Sequence, residues 1–239
     1  EGLTFAYTYE GFGSFRLAVY DNHIKWTGFD FGYFDGITAQ VSPTISKVDE
    51  GIYFMSWNTG SGTDNVVVNF NEGIVRAHLY ASSEDGDTHG AFDQIHGDML
   101  CAPKEDCPFP DASPTNTLGF LTTFSRNEKR HRLVPMADYA PAPAEMHIAA
   151  QDELTGMRLI YETAAGPEAV TIKGSETVVT RALGQTRSYG THVTKIAEGV
   201  FLSSWLEERS SGDHIVVNAN SMRGFDHVSA DGKRGETLH

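Results

Sequence analysis

The chain carries one eight-residue pattern twice: Glu50-Gly51-Ile52-Tyr53-Phe54-Met55-Ser56-Trp57 returns as Glu198-Gly199-Val200-Phe201-Leu202-Ser203-Ser204-Trp205, 148 positions later. Downstream, Asp64, Val67, Val68, Asn69, Asn71 and His78 recur as Asp213, Val216, Val217, Asn218, Asn220 and His227, now 149 positions apart. One inserted residue in the intervening turn accounts for the change. A period this long means two copies of a domain-sized unit, since stacked-repeat proteins use units of roughly 20–50 residues. Each copy also serves as a reference for the other, so that differences between them read as specialisation.

Both copies read as runs of short strands. In the first, Leu3–Tyr9, Phe15–Tyr20, Ile24–Phe29, Ile37–Val41, Ile45–Val48, Ile52–Trp57, Asn65–Phe70 and Ile74–Tyr80 are rich in aromatic and β-branched residues. Asp21-Asn22 and Asn71-Glu72-Gly73 suit tight hairpin turns, because Asn, Asp and Gly tolerate positive φ. In the second, Met157–Glu162, Ala169–Ile172, Thr177–Arg181, Ser188–Ile196, Val200–Trp205, His214–Asn218 and Arg223–Val228 repeat the scheme. No comparable window shows a 3.6-residue apolar period. Consecutive antiparallel strands close most economically into a barrel, which leaves no edge unpaired. The expected fold is therefore all-β: two antiparallel barrels formed by internal duplication, or alternatively two sheets of one larger barrel. The expected division is a first barrel over 1–80, a loop-rich connector over 81–145 holding most of the nine prolines, and a second barrel over 146–239.

Composition narrows the partners. Hydrophobic residues make up 40% of the chain, enough for a real core, and the formal charge of −14 disfavours nucleic acid and anionic membranes. No apolar run approaches the ~20 residues that span a bilayer. A small-molecule ligand is the expected partner, and a homodimer stays open. The chain begins at Glu1 rather than Met, so a trimmed start leaves export open. Cys101 and Cys107 either form a small-loop disulfide in an exported protein or stay reduced in the cytosol. The absence of a wider cysteine framework favours a cytoplasmic home.

Phe5-Ala6-Tyr7-Thr8-Tyr9-Glu10, followed in order by Glu50-Gly51-Ile52-Tyr53, Ser56-Trp57 and Gly62-Thr63-Asp64, resembles the bacterial phenolic acid decarboxylases over roughly the first 80 residues. The duplicated arrangement also looks like the molybdenum cofactor biosynthesis protein F family. Both resemblances imply calycin-type, lipocalin-like barrels. The first implies that Tyr7 and Tyr9 hold a substrate carboxylate while an Arg and the Glu of a Trp-x-Glu motif complete the site, with no metal or other cofactor. Copy one departs from that pattern: Thr59 stands at the Glu position, and Asp35-Gly36-Ile37 offers no Arg. Copy two supplies Trp205-Leu206-Glu207 with Arg181 or Arg187 upstream, but keeps one tyrosine, Tyr161.

Each residue has a plain physical reading beside the functional one. A carboxyl inside an apolar barrel has its pKa raised and can act as a general acid, which is the case for Glu207; the alternative is that Glu207 opens the exposed turn Glu207-Glu208-Arg209-Ser210. An arginine such as Arg181 or Arg187 can grip a carboxylate in bidentate fashion. Tyr7 and Tyr9 lie two apart and so share a strand face, where phenols donate to an anion without adding charge. Trp57 and Trp205 read first as core fillers and second as ligand walls. His78 and His227 occupy one position of the repeat. Inward, they suit ligand or proton chemistry; a structural hydrogen bond shared by both copies is the simpler reading. His89, His96, Cys101 and Cys107 lack the tight ligand pairs of a structural zinc site.

Two functions compete. The leading one is a cofactor-independent lyase or isomerase acting on a small aromatic or unsaturated carboxylate, anchored by Tyr7 and Tyr9 in one barrel or handled by Arg187, Tyr161 and Glu207 in the other. The rival is a non-catalytic carrier, which the incomplete catalytic sets would suit. A third reading makes one barrel a relic filled by its own side chains.

Overall fold

The computed structural model describes residues 3–9, 13–29, 38–58, 62–81, 91–103, 150–163, 166–181, 184–208 and 211–229. The fold is all-β, with two barrel-like antiparallel units. The first unit contains β1 (Leu3–Tyr9), β2 (Gly13–Val19), β3 (Ile24–Phe29), β4 (Thr38–Val41), β5 (Thr44–Asp49), β6 (Ile52–Asn58), β7 (Gly62–Asn69), β8 (Ile74–Ala81) and β9 (Ala91–Cys101). Its strand order is β4-β3-β2-β1-β9-β8-β7-β6-β5. The second contains β10 (Arg158–Thr163), β11 (Gly166–Lys173), β12 (Glu176–Thr180), β13 (Thr186–Ala197), β14 (Val200–Glu208), β15 (Ser211–Asn218) and β16 (Arg223–Ser229), paired in chain order.

The repeat explains how each sheet curls. The twelve-residue β13 pairs with β12 through its first half and with β14 through its second, so one bent strand serves both walls. In the first unit the same strand is split into β4 and β5 by Ser42-Pro43. Pro43 has no N–H to give a ladder. At the matching place Thr191 donates its N–H to the Ser175 carbonyl, 2.9 Å away.

β9 lies inside the stretch read from sequence as a connector. It pairs antiparallel with both β8 and β1, so the first unit continues to Cys101 rather than stopping near residue 80. The signal was weak for a physical reason: Asp93, Gln94, His96, Gly97 and Asp98 interrupt the apolar alternation that marks a strand. Of the same middle stretch, 82–90 and 104–149 lie outside the described residues.

The repeated Glu-Gly dipeptides are turn devices. Gly51 and Gly199 adopt φ of 72° and 71°, a region that costs other L-residues, and each lies against an asparagine of the neighbouring hairpin. Asn71 Nδ2 donates to the Glu50 carbonyl at 2.7 Å, and Asn220 Nδ2 donates to that of Glu198 at 2.8 Å. Their own backbone amides are received by Asn69 Oδ1 and Asn218 Oδ1.

The two units pack face to face about a pseudo-twofold relation. Val48, Ile52, Phe54 and Val67 of the first meet Ile196, Val200, Leu202, Val216 and Phe225 of the second in one apolar cluster. Asn69 Nδ2 donates across to the Ile196 carbonyl, and Asn218 Nδ2 donates across to that of Val48. Alternation along the strands then assigns the faces: even positions 52, 54 and 56 of β6 face the partner unit, and 55 and 57 face the barrel interior.

Candidate functional site

Two interiors remain as candidates. In the first barrel, β1 carries Phe5, Tyr7 and Tyr9 on its inner face, and all three are buried. Their rings pack with one another and with Phe15: Tyr7 and Tyr9 centroids are 4.9 Å apart, and Tyr9 and Phe15 are 5.8 Å apart. On the opposite wall, Trp57 stands across from Asp64 in the β6–β7 ladder, and its Nε1 donates to Asp64 Oδ2 at 2.9 Å. Burial among these aromatic side chains raises the Asp64 carboxyl to a pKa of about 7, although the Trp57 hydrogen bond works the other way. Asp64 as a residue keeps some contact with solvent, so it can exchange its proton. Burial also raises the Tyr7 phenol, with a smaller push from Asp64, so Tyr7 remains a donor at any ordinary pH.

The second barrel also buries carboxyl groups, Asp213 and Asp226. Its core gathers Tyr161, Phe201, Trp205, Ile215 and Val217, with Tyr189 packed against them. Tyr161 Oη, Tyr189 Oη, Ser203 Oγ and Trp205 Nε1 are buried and have no hydrogen-bond partner among the described residues. Trp205 stands across from Asp213 as Trp57 does from Asp64, yet its indole N–H finds no acceptor. Asp226 is buried at the place where the first copy has Ala77. Burial raises the Tyr161 phenol, reinforced by the charges of Asp226, Asp213 and Glu168, so this hydroxyl too is a fixed donor. Buried donors without an acceptor among the described residues are uncommon in a native core, where nearly all such groups are paired.

The other expected residues are distributed less compactly. His78 and His227 lie outside both interiors, between the units. His78 bonds Ser204 Oγ through Nδ1 at 2.7 Å and Thr194 Oγ1 through Nε2 at 2.9 Å; His227 bonds Ser56 Oγ and Ser46 Oγ through the same atoms at 2.7 and 3.0 Å. These contacts match the structural-hydrogen-bond reading. Arg181 pairs through Nε with Glu168 Oε2 at 3.1 Å, which spends part of its charge. Arg187 is exposed on β13 beside Arg181, Gln185 and Tyr189. Both arginines border Tyr189, which packs against the Tyr161 cluster. Glu207 lies on β14 at an irregularity in its pairing with β15, between Leu206 and Glu208; its side chain lies outside the described part of the structure. Thr59 and residues 35–37, where the decarboxylase pattern failed in copy one, also lie outside the described residues. Cys101 is disulfide-bonded, and Cys107 is the chain's only other cysteine, so a thiolate zinc site through Cys101 is closed.

Sequence reading missed Asp64 as a chemical group, although the Gly-Thr-Asp motif and the repeat both contained it. The register partner Trp57 is the signal that would have drawn attention to it. It also missed a cleft of about 500 Å³ between Met157–Tyr161 and Val217–Phe225.

No family model matches the chain, and no curated protein matches it. Among solved structures, it resembles a crystal structure from Burkholderia vietnamiensis named "putative beta-lactamase", with 22% identity and a TM-score of 0.35, over 42% of this chain and 93% of that one. A likeness at that TM-score carries no argument here. Among the described residues, no helix is long and apolar enough to cross a membrane.

Proposed function

We infer that the protein is an acid–base enzyme of lyase or isomerase type, acting on a small aromatic or unsaturated carboxylate within the first, calycin-like barrel. The observation that carries this reading is Asp64, a carboxyl that burial holds near pKa 7 while it accepts from Trp57 and lies close enough to act on the Tyr7 phenol. A general acid works best when its pKa lies near the operating pH. Tyr7 and Tyr9 supply neutral donors for the substrate carboxylate, in the role that the decarboxylase resemblance gives them.

A para-hydroxycinnamate is the substrate that suits this chemistry, since its para-hydroxyl can take up the electrons. The Asp64 carboxyl gives its proton to the alkene carbon that bears the carboxylate. The para-hydroxyl gives up a proton, and the ring becomes a quinone methide. The bond to the carboxylate then breaks, carbon dioxide leaves, and its electron pair forms the vinyl double bond while the phenol regains a proton. Asp64 ends as a carboxylate and is reprotonated from solvent.

A carrier reading of the whole protein draws on the second barrel, where four buried donors without a partner among the described residues suit a neutral carbonyl- or hydroxyl-bearing ligand beside Asp213 and Asp226. A panel of hydroxycinnamates and related acids, scored for turnover and for thermal shift, separates the two. Turnover that Asp64→Asn abolishes while the fold persists supports the enzyme. Thermal shifts without turnover, lost in Tyr161→Phe, support the carrier. The cytoplasmic expectation rests on the sparse cysteines; the Cys101 disulfide suits an oxidising compartment instead. A thiol count on protein taken from its natural compartment decides between them.

A further inference from the structure

The two copies differ in one element that neither the motifs nor the proposed chemistry uses. In the first barrel β9 bridges β8 and β1, antiparallel to both. In the second, β16 and β10 hold the corresponding places at the two ends of the sheet, and no strand stands between them among the described residues. The 500 Å³ cleft lies along this seam. It is lined by consecutive residues on both sides, Arg158 to Tyr161 on β10 and Arg223 to Phe225 on β16. Consecutive residues mean that strand edges, with their main-chain N–H and C=O groups, form the walls. A small-molecule pocket in a barrel is lined instead by alternate, inward side chains.

We propose that this seam receives an extended strand from a partner polypeptide, one with alternate apolar side chains and an acidic residue, which completes the second barrel as β9 completes the first. Three features define the occupant. The four-residue run Arg158–Tyr161 is about 13 Å long, which fits a short strand rather than a folded element. Ile160 and Met222 are 63% and 84% exposed at the seam, two of the five large apolar side chains the described surface leaves open. An inserted strand would cover them.

The charge is the most specific feature. Arg158 and Arg223 are both exposed at this cleft in a chain of net charge −14. Arg223 occupies the repeat position of Ile74, and Ile74 stands across from Asp98 of β9. A strand bound in the β9 register therefore places an acidic residue at the Asp98 position opposite Arg223. This is strand addition to a sheet edge, in which main-chain bonds give affinity and alternate side chains give specificity.

The probe is a synthetic peptide with the sequence of residues 91–101, Cys101 replaced by serine, added to the full chain. Binding is read by fluorescence anisotropy, and the site by amide hydrogen exchange. The expected result is protection of amides in 158–161 and 223–225. Affinity should fall roughly tenfold or more for a peptide with Lys at the Asp98 position, as for a lost interfacial charge pair, and should recover when that peptide meets Arg223→Glu protein. Absence of binding overturns the proposal. So does binding that the charge exchange leaves unchanged. Strong protection of both edges before any peptide is added would show that the chain's own residues fill the seam, and competition by free small acids alone would reassign it to a small ligand; either result also overturns the partner strand.

Discussion

Asp64 and His214 show how one physical cause, burial, acts with opposite sign on an acid and a base. Asp64 is raised to about 7 from its ordinary 3.8, so the folded protein binds a proton that the unfolded chain releases over that range, and this group favours folding as pH falls from 7. His214 is fully buried and lowered to about 3 from 6.5, chiefly by burial and then by the neighbouring His227. Here the unfolded chain binds the extra proton, so the contribution is unfavourable as pH falls from 6.5 toward 3. Total stability against pH mixes the two. The difference between wild type and His214→Asn isolates the histidine, because asparagine is the first copy's own residue at that position, Asn65. We expect the variant to lose less stability in urea titrations between pH 6.5 and 4; equal losses would show that His214 does not set the acid limb. For Asp64 the expected signature is kinetic. As a general acid it is active when protonated, so kcat/KM falls as pH rises through about 7, and the descending limb shifts or disappears in Asp64→Asn.

At the scale of elements, the repeat is a record of turn chemistry. An alanine methyl at Gly199 would stand 2.5 Å from Asn220 Oδ1 in a backbone region that already costs roughly 1–2 kcal/mol, so Gly199→Ala should destabilise by at least about that much. The measurement is the shift in urea midpoint, and the same change at Gly51 should match it, since Gly51 and Asn71 repeat the geometry. A much smaller effect would mean that the turn yields. The strands were largely legible because aromatic and β-branched runs alternate with Asn, Asp and Gly turns, and every strand expected from sequence is present to within a few residues. β9 was not legible, since its polar residues break the alternation and its place is set by β8 and β1. The shared face of Tyr7 and Tyr9 in the first candidate site was legible because the two lie two apart on a strand. Asp64 was not, because its chemistry comes from a cross-strand neighbour and from burial, neither of which is local in sequence.

In the whole molecule, the two histidines of the repeat hold the halves together. Each lies in a matched pair of hydroxyl contacts across the pseudo-twofold, but His227 also stacks on Phe54 with ring centroids 3.9 Å apart, whereas the matching position in the other copy is Leu202. Removal of His227 to alanine should therefore cost more than removal of His78, by roughly 0.5–1.5 kcal/mol for the ring pair. Chemical denaturation of the two variants tests this, and equal costs would discount the stacking. With the interface assigned, the copies differ inside: in the first the Trp57 indole donates to Asp64, and in the second the Trp205 indole has no acceptor among the described residues. The most direct test is hydroxycinnamate turnover near pH 6 by wild type, Asp64→Asn and Tyr161→Phe, each checked for folding. Wild type and Tyr161→Phe are expected to turn over, with a loss of about 10²–10⁴-fold in Asp64→Asn, the usual contribution of a general acid. Turnover that survives Asp64→Asn, or that only Tyr161→Phe abolishes, would remove Asp64 as the acid.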